Sequence, residues 1–502
     1  MRPLAKGKLV VSTISAIRTG VLPNDVNHGV MVSPSAAAVK SSTAVAATQA
    51  RSTIVSMDTR AASDVTYSKL ASYSQNRQAW SNPVQDDISS IMALNSARRR
   101  PDGLAAQWRG LGGAVLSQFA SNGTAYRQTL VNYDASAMGT GSAKELDEAA
   151  LESFSSTVAK ASLKVQTRSG TTVELTLAVD RGGVLGRNGL QVEIKASGSL
   201  SSAEKRALSE LAQGLDKALE GLGQPDKPRM DIAGLASFDR SVLQSVDLSI
   251  KNPGEGELLS SFDLHLGSDR NAITYSGALG KVDVGVDVQM LVGKTSDQQR
   301  LSSITELLRQ VDAAAQRSHA DSRLVTLFKD AFNQLHTATG ATGTLSRHNP
   351  TPGAIDPMLS GLADFTASFS GTFERTGRFG AVVETGSATY QFSQKTTLLP
   401  GAHANTWTLQ QKQSESLVAQ YVKSRGDVML DMSSGNYDVF NVNDSTENVT
   451  TVTMVEGRVS DAQRSTEQNL LQTMKKLVNF KVEEKRETPV NRHQLESLQP
   501  NA

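Results

Sequence analysis

Runs of side chains that alternate apolar and polar, each set followed by a stretch of helical periodicity, constrain this chain more than any other feature. Leu163, Val165 and Thr167 alternate with polar neighbours, as do Val173, Leu175, Leu177 and Val179, then Leu190, Val192 and Ile194. A period of two puts each set on one face of a strand. Ser201-Ser202-Ala203-Glu204 then reads as a capping box, with Ser201 as the cap and Glu204 reaching back. The helix it opens carries Leu208, Leu211, Leu215, Leu219 and Leu222 on one side, and Gly221, Gly223 and Pro225 end it.

The same order recurs. Leu264–Leu266, Ile273–Tyr275 and the alternating Val282, Val284, Val286 and Val288 predict strands. Helices follow through Leu301, Ile304, Leu308 and Val311, then through Leu324, Leu327, Phe328, Phe332 and Leu335. Further on, 365–392 alternates around glycines, and strands are expected at 407–409, 428–430, 437–442 and 449–455. Ser460-Asp461-Ala462-Gln463 reads as a second capping box before Leu470, Leu471, Met474, Leu477 and Val478 at helical spacing.

Strands grouped apart from helices imply α+β: antiparallel β-sheets, each followed by amphipathic helices packing on one face. The divisions are a disordered leader over 1–60 and a mostly helical segment over 61–150. An α+β domain of two strand-then-helix units follows over 155–340, and a linker over 341–361. A β-rich domain closed by a helix covers 362–480, and a polar tail covers 481–502. The leader is a run of Ser, Ala, Thr and Val without a sustained period, too poor in apolar side chains to offset the entropy of ordering. Its basic residues Arg2, Lys6, Lys8 and Arg18 precede the first acid, Asp25, in the manner of a transit segment; a plain disordered leader has the same composition.

Composition removes whole classes of function. With no cysteine there is no disulfide framework, thiolate zinc site or cysteine nucleophile. Fifty-one Lys and Arg against fifty Asp and Glu leave a net charge of +1, without the basic excess that phosphate backbones demand. No nucleic-acid partner is expected. No apolar run reaches the ~18 residues that a membrane-spanning helix needs, and no secretory signal peptide is recognised. The compartment stays open between the cytoplasm and non-classical export.

The search for chemistry is short. Gly182–Gly189 looks like a phosphate cradle, but strand patterns flank it on both sides where a dinucleotide fingerprint requires a helix. Gly280-Lys281 is followed by Val282, and a P-loop's upstream glycine is here Tyr275. Arg98, Arg99 and Arg100 form a charge run without interleaved aromatics. The weak catalytic candidates are Asp283 and Asp287, which share one face of a strand, His319 beside the helix cap Asp321, and His265 on the polar face of its strand. No cofactor and no metal site is assigned.

From Leu200 to Leu335 the chain resembles a family of uncharacterised bacterial proteins of similar length. The likeness rests on the 201–222 helix, Asp231-Ile232-Ala233-Gly234-Leu235 with Phe238-Asp239, and Val242-Leu243 leading to Val246-Asp247-Leu248. Gly280-Lys281-Val282-Asp283-Val284 and Phe328-Lys329-Asp330-Ala331-Phe332 add to it. Some members carry a dehydrogenase name, which the missing nucleotide fingerprint does not support here. The resemblance implies a bacterial origin. The expected function is that of a non-enzymatic binding or structural protein, with a protein docked on an exposed sheet edge. The alternatives are a carrier of an apolar ligand held between sheet and helices, and an enzyme of unfamiliar type using the Asp and His groups.

Overall fold

The computed structural model describes residues 76–498 apart from 98–102, 139, 155–157, 182–186, 255, 291–295, 339–354, 402, 404 and 427. The expected leader, Arg98–Arg100, most of the Gly182–Gly189 loop and most of the 341–361 linker fall outside the described residues.

The strands are β1 Asn76–Trp80, β2 Tyr126–Asp134, β3 Ala159–Thr167, β4 Thr172–Asp180, β5 Asn188–Ala196, β6 Leu243–Lys251, β7 Ser261–Leu266, β8 Arg270–Gly277 and β9 Gly280–Asp287. Much longer ones follow: β10 Asp364–Thr376, β11 Val382–Pro400, β12 Thr406–Lys423, β13 Tyr437–Val455, β14 Arg458–Val478 and β15 Lys481–Ser497. All belong to one antiparallel sheet of fifteen strands in the order β1-β2-β5-β4-β3-β6-β7-β8-β9-β10-β11-β12-β13-β14-β15. The α+β class therefore holds, whereas the expectation of several sheets is corrected to one. β9 pairs with β10 across the linker, so the hydrogen-bonded ladder never breaks between the α+β and the β-rich regions.

The helices are α1 Asp87–Ser96, α2 Gly103–Trp108, α3 Leu111–Asn122, α4 Ala143–Glu152, α5 Ser202–Leu222, α6 Ala233–Ala236, α7 Asp297–Ser318 and α8 Ser322–Ala338. α5 opens on the expected capping box, with Ser201 Oγ accepting from the Glu204 N–H and the Glu204 carboxylate accepting from the Ser201 N–H. A further hydrogen bond from the Ser169 hydroxyl holds that carboxyl at about 2. Leu208, Leu211, Leu215, Leu219 and Leu222 are all buried. Where α5 meets α6, a Cβ on Gly214 would lie 2.5 Å from the carbonyl carbon of Gly234, so only glycine permits this approach. The 61–150 segment, read as helical, also contributes β1 and β2.

The last expected helix is a strand. Glu456 and Gly457, with φ of 50° and 78°, turn β13 back into β14, and Asn479 and Phe480, with φ of 50° and 64°, turn β14 into β15. Two-residue turns with both φ positive match the strands' own twist and enforce a hairpin. The helical spacing of Leu470, Leu471, Met474, Leu477 and Val478 is thus overruled by the turns at either end, and the polar tail is β15 itself. The strand expected at 428–430 is irregular chain, with Val428 and Met429 exposed.

Candidate functional site in the polar trough

The register aligns side chains in rungs that cross the sheet. On the face covered by helices one rung runs Ala196, Val173, Val165, Val246, Leu266, Asn271, Val286, Phe365, then Gln394, Gln413, Asn448, Thr466 and Gln494. The next runs Ile194, Leu175, Leu163, Leu248, Leu264, Ile273, Val284, Ala367, Phe392, then Glu415, Thr446, Gln468 and Arg492. Almost wholly apolar from β5 to β10, both rungs are polar from β12 outward. The apolar rungs meet the core built with α5, α7 and α8, where Phe328, Phe332, Phe369 and Tyr390 are fully buried.

The polar stretch lies between two apolar clusters. On one side is the main core; on the other, Ile355, Met358 and Leu359 pack on Leu409, Val452, Met454 and Ala462. Between them α7 and the sheet enclose a trough of about 470 Å³. Its helical wall is Ser302, Ser303, Glu306, Leu307 and Gln310, one face of α7; its floor is the outward-running rungs of β12 to β15. A volume of this size is in the range of small-ligand sites.

Hydrogen bonds fix the inner end. The Ser360 N–H donates to Gln411 Oε1 at 2.9 Å, and its hydroxyl donates to Gln394 Oε1 at 2.8 Å. Gln413 Nε2 donates to the same Gln394 oxygen at 2.9 Å. Arg464 is committed to Thr450 Oγ1 at 3.2 Å and to the Met358 carbonyl at 3.3 Å. Toward β15 the groups open up: Thr466 donates to Asn448 Oδ1 at 2.7 Å, while no described residue meets the Asn448 amide nitrogen, the Gln494 carboxamide or the Glu496 carboxylate.

One and two rungs inward, at Glu415 and Asp444, charge collects beneath α7. Arg317 Nη2 donates to Asp444 Oδ2 at 2.5 Å, with Asp444 only 3% exposed and its Oδ1 without a partner. Burial pushes the neighbouring Glu415 up to about 7; the Asp444 charge adds to this and Arg317 opposes it. Burial likewise drives His336, packed against Phe332 and Phe365, down to about 3, so it is neutral.

The sheet separates His319 from the other three residues singled out from sequence. His319 lies on the covered side at the end of α7, its Nδ1 2.5 Å from Glu384 Oε1 and its ring stacked on Tyr421. Asp321 bonds the Arg323 N–H and guanidinium and does not meet His319. Asp283, Asp287 and His265 belong to the opposite rungs. There His265 Nδ1 is 2.5 Å from Asp247, Asp283 accepts from Thr274, and Asp287 caps the turn at Gln289. Asp283 and Asp287 share one face of β9 as expected, but no hydrogen bond or ion pair among the described residues joins any two of the four.

The sequence carries a signal for the trough. Gln411, Gln413 and Glu415 share the parity of the apolar Leu409 and Leu417 that flank them, and Asp444, Thr446, Asn448 and Thr450 share that of Val442 and Val452. A polar gap inside an otherwise apolar parity, repeated on two adjacent strands, marks a built polar site. No family model matches this chain, and no curated protein or solved structure does either.

Proposed function

We propose that this is a non-enzymatic binding protein, related to the uncharacterised bacterial family that its Leu200–Leu335 stretch resembles, and that its partner seats in the polar trough. The observation that carries this is the mismatch between strand length and core. β14 and β15 are 21 and 17 residues long, yet Ala462 is the only described residue of either that is buried. Ordering a backbone costs roughly 1–2 kcal/mol per residue, and these strands return little apolar burial for it. What they add is surface, and that surface floors the open end of the trough.

Two features favour the trough over the free edge. Pro489 stands in the middle of β15 and lacks the N–H that an added strand would bind. The groups without partners, at Asn448, Gln494 and Glu496, all face the trough. An apolar ligand finds only Leu307 and Leu359 there, and the scattered Asp and His groups give an enzyme nothing to assemble around.

Photo-reactive residues introduced singly at Gln494 and Glu496, in the full chain in its native cells, test the reading. A control belongs at Glu210, on the exposed side of α5. Irradiation should give adducts of defined mass from the two trough positions and not from the control. Absence of trough adducts, or the same products from all three sites, would sink it.

A further inference from the structure

The chemistry of the trough narrows the class of partner, taking as given that the trough is the binding site. We infer that it holds a neutral, polyhydroxylated ligand: a short oligosaccharide lying across the strands.

The lining decides between classes. An anionic polymer or a nucleotide needs free cations, but Arg464 is the only cation among the described residues of the lining and is already engaged by Thr450 and Met358. Two carboxylates, Glu306 and Glu496, share the lining with it. A peptide needs either a strand edge for its backbone or apolar pockets for its side chains; the trough floor is sheet face, and its apolar lining is two leucines. A cationic ligand would want a concentration of carboxylates, whereas the centre of the floor is Gln413, Asn448, Thr466 and Gln494, all neutral.

Those groups suit hydroxyls. A carboxamide presents both a donor and an acceptor, and a hydroxyl does the same, so each can serve a ligand group that both gives and takes a hydrogen bond. Asn448 Nδ2 and both ends of the Gln494 carboxamide are unused, and the Glu496 carboxylate beside them can accept from two hydroxyls. Because the groups sit on successive strands, they repeat every ~4.8 Å across the sheet, comparable to the advance per sugar of an extended glycan. A chain crossing the strands would thus meet one polar side chain per sugar. With no aromatic ring among the described residues of the lining to stack on a pyranose face, hydrogen bonds supply the affinity, which is weak for each sugar.

Saturation-transfer NMR on the full chain tests this, with maltotriose, cellotriose and chitotriose as neutral probes. Trigalacturonate and the peptide Gly-Ser-Gln-Ser-Gly serve as comparators. At least one neutral trisaccharide should give a saturable signal, and Asn448→Ala and Gln494→Ala should each weaken it about tenfold, one hydrogen bond's worth. Gln494 is exposed on the edge strand, so that variant tests the site without endangering the fold. No saturable signal from any neutral trisaccharide, a signal undiminished from the parent's in both variants, or a response only to the comparators would overturn the inference. Trough adducts in cells together with silent trisaccharides would leave the binding function standing and remove only the glycan.

Discussion

From β3 to β9 and from β11 to β15 the backbone does the same thing, pairing antiparallel in an unbroken ladder, while the side chains do opposite things. The first region has strands of 6 to 9 residues, one face of each closed off by helices. The second has strands of 17 to 21 residues whose covered face turns polar in mid-sheet and whose last two strands bury almost nothing. Apolar burial, at roughly 25 cal/mol per Å², holds the first region together. The second rests on ladder hydrogen bonds and on cross-strand pairs such as Lys412–Glu447 at 2.7 Å and Lys476–Glu483 at 2.5 Å. Strand pairing can therefore extend a sheet well past its core, and what lies beyond is free to specialise as surface.

Side-chain truncation gives the largest contrast. Phe328 is fully buried among Phe332, Phe369 and Tyr390, and Phe328→Ala should lose about 3–5 kcal/mol in urea unfolding. Leu495 in β15 is 63% exposed, and Leu495→Ala should shift stability by less than about 0.5 kcal/mol. Comparable losses from the two would mean that the extension has a core of its own.

The seam between the regions supplies the next effect. Glu415 begins the polar part of its rung, and its carboxyl is raised from 4.5 to about 7, first by burial and then by Asp444. Below pH 4.5 the folded and unfolded chains both carry the proton, and the group adds no pH dependence. Between 4.5 and 7 the unfolded chain releases it while the folded one keeps it, so stability falls as pH rises, and the penalty is complete above 7. Glu415→Gln, which keeps the shape without the charge, should therefore be more stable than the parent at pH 8. The gain should reach about 3 kcal/mol at most, at 1.36 kcal/mol per unit, and vanish by pH 4. Urea midpoints across that range check it; a gain that does not depend on pH would place the cause in packing.

How legible each region was follows from the same contrast. Where one face is buried, alternation reports the strand directly: Leu163, Val165, Val173 and Leu175 are all core, and the α5 cap and its leucine stripe are where their spacing puts them. In β14 neither face is buried enough to impose a period, so Leu470, Leu471 and Met474 fell on a helical pattern by composition alone. The information that fixed β14 was local, in Glu456-Gly457 and Asn479-Phe480, rather than in the strand. The candidate site was hidden for a different reason. Asp283 and His265 were chosen for their side-chain chemistry, one residue at a time, whereas the trough is a property of register, visible only when β12, β13, β14 and β15 are aligned.

The smallest expected effect on stability concerns the end of the extension, and it tests why the sheet stops. Among the described residues no strand pairs with the outer side of β15, and such an edge is the kind of surface that recruits further strands. A proline is tolerated in a ladder only where its nitrogen faces away from the neighbouring strand. Pro489, opposite Leu471 of β14, therefore points its nitrogen outward, and Glu487 and Asn491, two residues to either side, send their N–H groups the same way. The outward row thus lacks a donor at its centre, and a second chain pairing there would leave one of its carbonyls unmet. Pro489→Val restores the donor and adds a β-branched side chain suited to strands. Its urea midpoint should move by no more than the equivalent of about 0.5 kcal/mol, while sedimentation velocity should show new concentration-dependent association that the parent lacks. If the variant sediments like the parent at every concentration, the proline is not what guards the edge. The charged Lys485, Arg486 and Glu487 would then be the residues to neutralise next.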